Sequence, residues 1–238
     1  MSKKREVVSG AAYHLISRFV AKGWFVASDV EREMYLRLLG EALAESDWHC
    51  FSYAVMSNHI HLGLVAGEVP LASWLSLAHG PFAIWINERL ERIGAVFVRG
   101  PTRRGVLPDG AARLIAYIHN NPVRAGVVAR ASESSWTSQC AYEGSDRVPS
   151  WLETDLGLQL SGFETGRDLA AWVEISEVGR RELELALEAP RPRGRPASLP
   201  VHLRDRFRAD SEQNDARFEV GSSAARSVRS DDAADCLG

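Results

Sequence analysis

Trp48-His-Cys-Phe-Ser-Tyr-Ala-Val-Met56 and His59-Ile-His-Leu-Gly-Leu-Val65, parted only by Ser57-Asn58, are the residues on which the architecture turns. Both runs are short and rich in aromatic and branched apolar side chains, and a two-residue polar link between such runs is a tight hairpin signal. Upstream, Tyr13-His-Leu-Ile-Ser-Arg-Phe-Val20 alternates and predicts a first strand. Ser28 with Glu31 three residues on predicts a capping box opening a helix over 29–45. Its apolar positions Tyr35, Leu38, Leu39 and Ala42 recur at the spacing of one buried helical face. Downstream, a helical pattern over 71–92 contains Gly80-Pro81, which should end or kink it. Ala95-Val-Phe-Val98 reads as a short fourth strand, and Asp109 as the N-cap of a helix through Asn120 that Asn121-Pro122 closes. Strand, helix, two strands, helix, strand, helix is an α+β order: a small antiparallel sheet with helices on one face.

The 238-residue chain is long enough for one core with appendages. Residues 1–150 read as one domain and 151–189 as a helical extension, while 190–238 turn to Pro, Arg, Gly, Ser and Asp and read as a disordered tail. No apolar run approaches the roughly 18 residues of a membrane span. The first residues, Met1-Ser-Lys-Lys-Arg-Glu, lack the apolar stretch of a secretory signal. Three scattered cysteines fit a reducing cytoplasm, with Cys50 a buried strand residue.

The net charge of −3 hides an asymmetry. Residues 1–130 hold 15 Lys and Arg against 11 Asp and Glu, and residues 131–238 hold 13 against 20. Between Arg99 and Arg130 lie Arg99, Arg103, Arg104, Arg113, Arg124 and Arg130 with Asp109 as the one acid. A local basic strip of this kind suits phosphate contact, or is simply a solvated face; charge alone does not separate the two.

Two segments carry the chemistry-bearing side chains. On a strand 59–65, Ile60, Leu62 and Leu64 face the helix-covered core, and His59, His61 and Gly63 face an open side. Two imidazoles so spaced can converge on one cation, with Gly63 leaving room beside them; an isolated His-x-His can equally be two idle strand residues. On the helix ending at Asn121-Pro122, Tyr117 and Asn121 share one face, and Leu114, Ile115 and Ile118 line the buried side. His119 points elsewhere and reads as a helix-end or surface residue. Two imidazoles and an amide oxygen make a three-ligand set with open positions, suited to Mg²⁺ or Mn²⁺. A tyrosine beside such a cation can attack a phosphodiester and form a covalent phosphotyrosine.

Three blocks, Tyr53-Ala-Val-Met-Ser-Asn-His-Ile-His-Leu62, Tyr117-Ile-His-Asn-Asn-Pro-Val-Arg-Ala-Gly-Val127 and Ser135-Trp-Thr-Ser138 with Ala141-Tyr-Glu-Gly144, resemble in order and spacing the single-tyrosine HUH transposases of the REP-associated (RAYT) type, over about residues 8–150. The resemblance implies the HUH endonuclease fold, a ferredoxin-like or RRM-like sheet. It further implies metal ligands at His59, His61 and Asn121 and a nucleophile at Tyr117. Family members cut single-stranded DNA near hairpins and leave a 5′-phosphotyrosine and a free 3′-OH. For this chain that means hairpin DNA contacts among Arg99, Arg103, Arg104, Arg113 and Arg124, and a monomer working near the nucleoid of a bacterial cytoplasm. A non-cleaving module of the same fold that binds hairpin DNA or RNA is the alternative. Ser57 and Asn120 stand where the family commonly has proline and leucine. Arg191-Pro-Arg-Gly-Arg-Pro196 reads as the stump of a C-terminal DNA-binding extension.

Overall fold

Alternation in the first strand and the hairpin is realised directly. Strands β1 (Ala12–Arg18), β2 (His49–Met56) and β3 (His59–Val65) join β4 (Thr102–Gly105) in an antiparallel sheet of order β2-β3-β1-β4. This computed structural model describes residues 7–145, 148–176 and 178–188. The tail at 190–238, the 191–196 segment, Cys236 and the first six residues lie outside the described residues.

Helices α1 (Asp29–Ala44) and α2 (Leu71–Arg89) cover one face of the sheet. Tyr35, Leu39, Trp74, Phe82 and Ile86 from these helices meet Leu15, Ile60, Leu62 and Leu64 from the strands in one buried cluster. The connections βαββαβ and the strand order are those of a ferredoxin-like α+β fold, as the element order predicts. Cys50 is fully buried in β2.

The capping box at α1 is present. The Glu31 carboxylate accepts from the Ser28 N–H at 2.6 Å and from the Ser28 hydroxyl, and it pairs with Arg89 Nε of α2 at 2.8 Å. Burial raises the Glu31 pKa, but the Ser28 and Arg89 bonds outweigh it and hold the group at about 2. The unfolded chain therefore binds a proton that the folded chain refuses as pH falls from about 4.5 to 2, and over that window the stabilisation from Glu31 is lost. Glu31→Gln is expected to flatten this part of the stability-versus-pH curve, read by urea melts at pH 2.5, 3.5, 4.5 and 6.

Several sequence expectations are corrected. Pro81 neither ends nor splits α2, which runs unbroken to Arg89. The carbonyl that lacks a donor belongs to Leu77, an exposed residue where water can serve, while Trp74, Ala78 and Phe82 keep the buried face continuous. The fourth strand is Thr102–Gly105 and not 95–98. Residues 96–98 do lie beside the end of β1, with a Phe19–Phe97 bridge and a Val98 N–H bond to the Arg18 carbonyl at 2.8 Å. Ladder pairing then lapses and resumes at Thr102 opposite Ile16. Gly100, with φ of 74°, and Pro101, which has no N–H, make this a bulge in the edge strand.

Helix α3 (Ala111–His119) is capped by Gly110, not Asp109. An added Cβ on Gly110 would lie 2.2 Å from the Ala186 carbonyl oxygen, so the turn admits only glycine there. Asp109 is exposed and sits 4.0 Å from Arg113. Pro122 does interrupt the helix as expected, though it also opens a short continuation, α4 (Asn121–Arg124).

The face of β3 that carries His59 and His61 is covered as well. Helix α3 lies across it with Leu114, Ile115 and Ile118 fully buried. Space beside Gly63 is taken by the Phe51 ring, which an added Cβ would meet at 2.8 Å. Phe51 is the extra residue of a bulge between Cys50 and Ser52 in β2, and its unpaired carbonyl accepts the hydroxyl of Tyr142, from the short helix α5 (Gln139–Tyr142), at 2.6 Å. Three further helices, α6 (Thr154–Ser161), α7 (Gly166–Ile175) and α8 (Arg180–Ala186), pack on α3. Both sheet edges are paired: Val55 and Tyr53 of β2 bond Trp136 and Ser138, and Gly105 of β4 bonds Glu188.

Candidate active site

Position along β3 and its neighbours decides what gathers. Register places Gly63 opposite His14, His61 opposite Ile16 and His59 opposite Arg18. Side chains alternate, so His14 and Arg18 of β1 share the α3-covered face with His59 and His61. The His59 and His61 ring centroids are 4.7 Å apart. His61 is buried at 2% exposure and His59 is half-buried.

The Tyr117 ring reaches the same place from α3. It lies edge-on to His61 at 5.8 Å and to His14 at 6.0 Å between centroids. Tyr117, separated from His61 by 56 positions in sequence, thus meets it within one chain. Asn121, one turn on, is buried, and its amide Nδ2 donates to the Tyr117 carbonyl at 3.1 Å. That bond leaves its Oδ1 as the donor atom available to a cation. Arg124 lies across the outer face of Tyr117, its guanidinium 4.0 Å from the ring centroid and Nη2 donating to the Tyr117 carbonyl at 2.7 Å.

Hydrogen bonds to the two imidazoles assign their free atoms. His59 Nδ1 bonds Asn58 Oδ1 at 2.5 Å and His61 Nδ1 bonds His14 Nε2 at 2.9 Å. In each ring Nε2 is the remaining nitrogen. Burial, then the nearby Arg18, lowers the His59 pKa to about 4. Burial, then His14, His59, Arg124 and Arg18, holds His61 well below its usual value. Both rings are neutral at pH 7, the form that ligates metal. Among the described residues no three of His, Cys, Asp or Glu are gathered as a metal-binding group. The donor set is instead two imidazole nitrogens and one amide oxygen, which fits a divalent first-row cation or Mg²⁺ with open positions for a phosphate.

The arginines divide. Arg124 stands at the Tyr117 ring, and Arg18, which the sequence reading passed over, flanks His59 and bonds Thr102 Oγ1 at 2.7 Å. Arg104 faces the site side but bonds Glu184 of α8 at 2.6 Å and the Glu188 carbonyl at 2.8 Å. Arg103 lies over the Tyr13 ring on the other face of the sheet. Arg99 is exposed, and Arg113 is half-buried, 4.0 Å from Asp109.

His119 is a correction: it is neither a helix-end cap nor a surface group. It is fully buried, with Nε2 2.6 Å from Ser138 Oγ and 3.2 Å from Ser52 Oγ, and Nδ1 donating to Gln139 Oε1 at 2.7 Å. Ser138 Oγ also accepts the Tyr53 N–H at 3.0 Å. The block 135–144 therefore ties α3 to the bulged part of β2. Helical spacing could have hinted at this, since His119 shares the face of Ile115.

No family model and no curated protein matches the chain. Among solved structures it is similar to a REP-associated tyrosine transposase bound to a REP hairpin, at 11% identity and a TM-score of 0.50, over 64% of this chain and 91% of that one. It is also similar to a candidate transposase from Deinococcus radiodurans R1, at 16% identity and a TM-score of 0.35, over 53% of this chain and 92% of that one. What the chain shares with the hairpin-bound transposase is its fold.

Proposed function

We propose that this chain is a single-tyrosine transposase of the REP-associated type, cutting and rejoining single-stranded DNA beside a hairpin. The observation that carries the proposal is the meeting of Tyr117 with His61 across an α3–β3 contact, in the fold of a hairpin-bound tyrosine transposase. Tyr117 Oη forms a bond to phosphorus while the bond from phosphorus to the 3′ oxygen breaks. The phenol proton ends on that 3′ oxygen, so the products are a 5′-phosphotyrosine and a 3′-OH. Reversal with a different 3′-OH joins strands, since the phosphodiester energy is kept in the tyrosyl ester.

Nε2 of His59, Nε2 of His61 and Oδ1 of Asn121 would hold Mg²⁺ or Mn²⁺, which supplies Lewis-acid polarisation of the phosphate. Arg18 beside His59 and Arg124 at the Tyr117 ring would supply positive charge to the phosphate, and exposed Arg99 and half-buried Arg113 are positions for the hairpin backbone. A site assembled from one chain supports action as a monomer. Among the described residues no helix is long and apolar enough to cross a membrane.

The test is incubation with a palindromic single-stranded oligonucleotide and Mn²⁺, followed by denaturing electrophoresis. A protein–DNA band that withstands denaturant and disappears with chelator is the expected result. A metal-independent mobility shift with no covalent band would instead make this a non-cleaving hairpin binder.

A further inference from the structure

The geometry points to His14 as a positioning residue that fixes the tautomer and ring plane of His61. The inference rests on the proposed role of His61 as a metal ligand. His14 lies on β1 opposite Gly63, two register pairs along from His61 on the same face, and the two rings are close to parallel at 17°. Both are buried at 2% exposure, and His14 Nε2 is 2.9 Å from His61 Nδ1.

One proton occupies that bond, and its direction matters. If His61 Nδ1–H donates to His14 Nε2, the lone pair of His61 is on Nε2, the atom proposed to ligate. If His14 donates instead, His61 carries its proton on Nε2 and is closed to a cation. At His59 the equivalent choice is made by Asn58, whose Oδ1 can only accept, so His59 Nδ1 holds the proton. His14 does for the buried ligand what Asn58 does for the half-buried one. Metal-binding imidazoles are regularly oriented in this way through the nitrogen that does not ligate. In that arrangement a neutral His14 accepts at Nε2 and carries its proton on Nδ1, so neither of its nitrogens is open to a cation. Among the described residues that contact is the sole hydrogen bond of the His61 ring.

The test uses the full chain, labelled with ¹⁵N-histidine and free of metal, to read the His61 tautomer from long-range ¹H–¹⁵N correlations. Titration with Mn²⁺ alone follows by calorimetry. Wild type is expected to carry the His61 proton on Nδ1. His14→Phe fills the space without accepting a bond; it should move the proton towards Nε2 and weaken Mn²⁺ binding roughly 10- to 100-fold. His14→Gln, with an acceptor oxygen, should restore the tautomer and bring affinity to within about fivefold of wild type. Thermal melts check that each variant folds, and the glutamine variant keeps the test decisive if the phenylalanine variant does not. A wild-type His61 proton on Nε2, or unchanged tautomer and affinity in His14→Phe, overturns the inference. A wild type with the Nδ1–H tautomer that binds no Mn²⁺ overturns the proposed function while supporting the hold of His14 on the ring.

Discussion

Tyr117→Phe is expected to abolish the covalent protein–DNA adduct while leaving hairpin binding and stability nearly intact. The ring packs edge-on against His14 and His61 and beneath the Arg124 guanidinium, and phenylalanine preserves each of those contacts. The Arg124 and Asn121 side chains bond the Tyr117 carbonyl, which the substitution does not touch. What disappears is the phenol oxygen alone. Losing a covalent nucleophile costs other enzymes about a thousandfold or more in rate, so adduct formation should fall below detection. Hairpin affinity, measured by gel shift in matched salt, should change by less than about twofold, because backbone contacts come from arginines that remain. If Tyr117→Phe still yields a denaturant-resistant band of wild-type intensity, the nucleophile lies elsewhere and the proposed chemistry fails.

The second large effect falls on stability. His119→Leu is expected to destabilise the fold by about 2–4 kcal/mol, through buried groups left without partners. Gln139 Oε1 loses its donor, and the Ser52 and Ser138 hydroxyls lose a shared imidazole in a fully buried setting. For a chain of this size the expected drop in Tm is on the order of 6–12 °C, read by calorimetry. Burial lowers the His119 pKa to about 3, against the opposing bond to Gln139. Unfolding below about pH 6.5 therefore takes up a proton that the folded chain refuses, and stability falls as pH drops towards 3. His119→Leu should make that decline shallower by up to about 1.4 kcal/mol per pH unit. A variant with wild-type Tm and an unchanged acid limb would show that the 135–144 block does not hold α3 through this histidine. Because His119 is two residues from Tyr117, a loosened α3 should also slow adduct formation, which separates a positioning loss from the pure chemical loss in Tyr117→Phe.

Local rules carried the sequence reading where backbone and side chains answer to near neighbours. Ser57-Asn58 closes the hairpin, the alternation of 59–65 puts His59 and His61 on one face, and Ser28 with Glu31 opens α1. Helical spacing likewise set Leu114, Ile115 and Ile118 on the buried side of α3 and Tyr117 with Asn121 on another. Gly80-Pro81 does not end α2, because a proline's cost depends on whether the orphaned carbonyl can meet water, which the local pattern does not state. Residues 95–98 do not form the fourth strand because they meet only the end of β1, and the ladder lapses between Val98 and Thr102.

What the sequence by itself determined is the set of elements, their order, and which side chains each presents on a shared face, since periods of 2 and 3.6 are properties of the chain alone. Tertiary structure alone decided that His14 bonds His61 across 47 positions, that Arg18 flanks His59, and that His119 meets Ser52 across 67 positions inside a core. Those contacts follow from β1 lying between β3 and β4 and from α3 and the 135–144 block closing over the histidine face. Strand order and register are chosen by the free energy of the whole packed molecule, and no short window of residues contains that information.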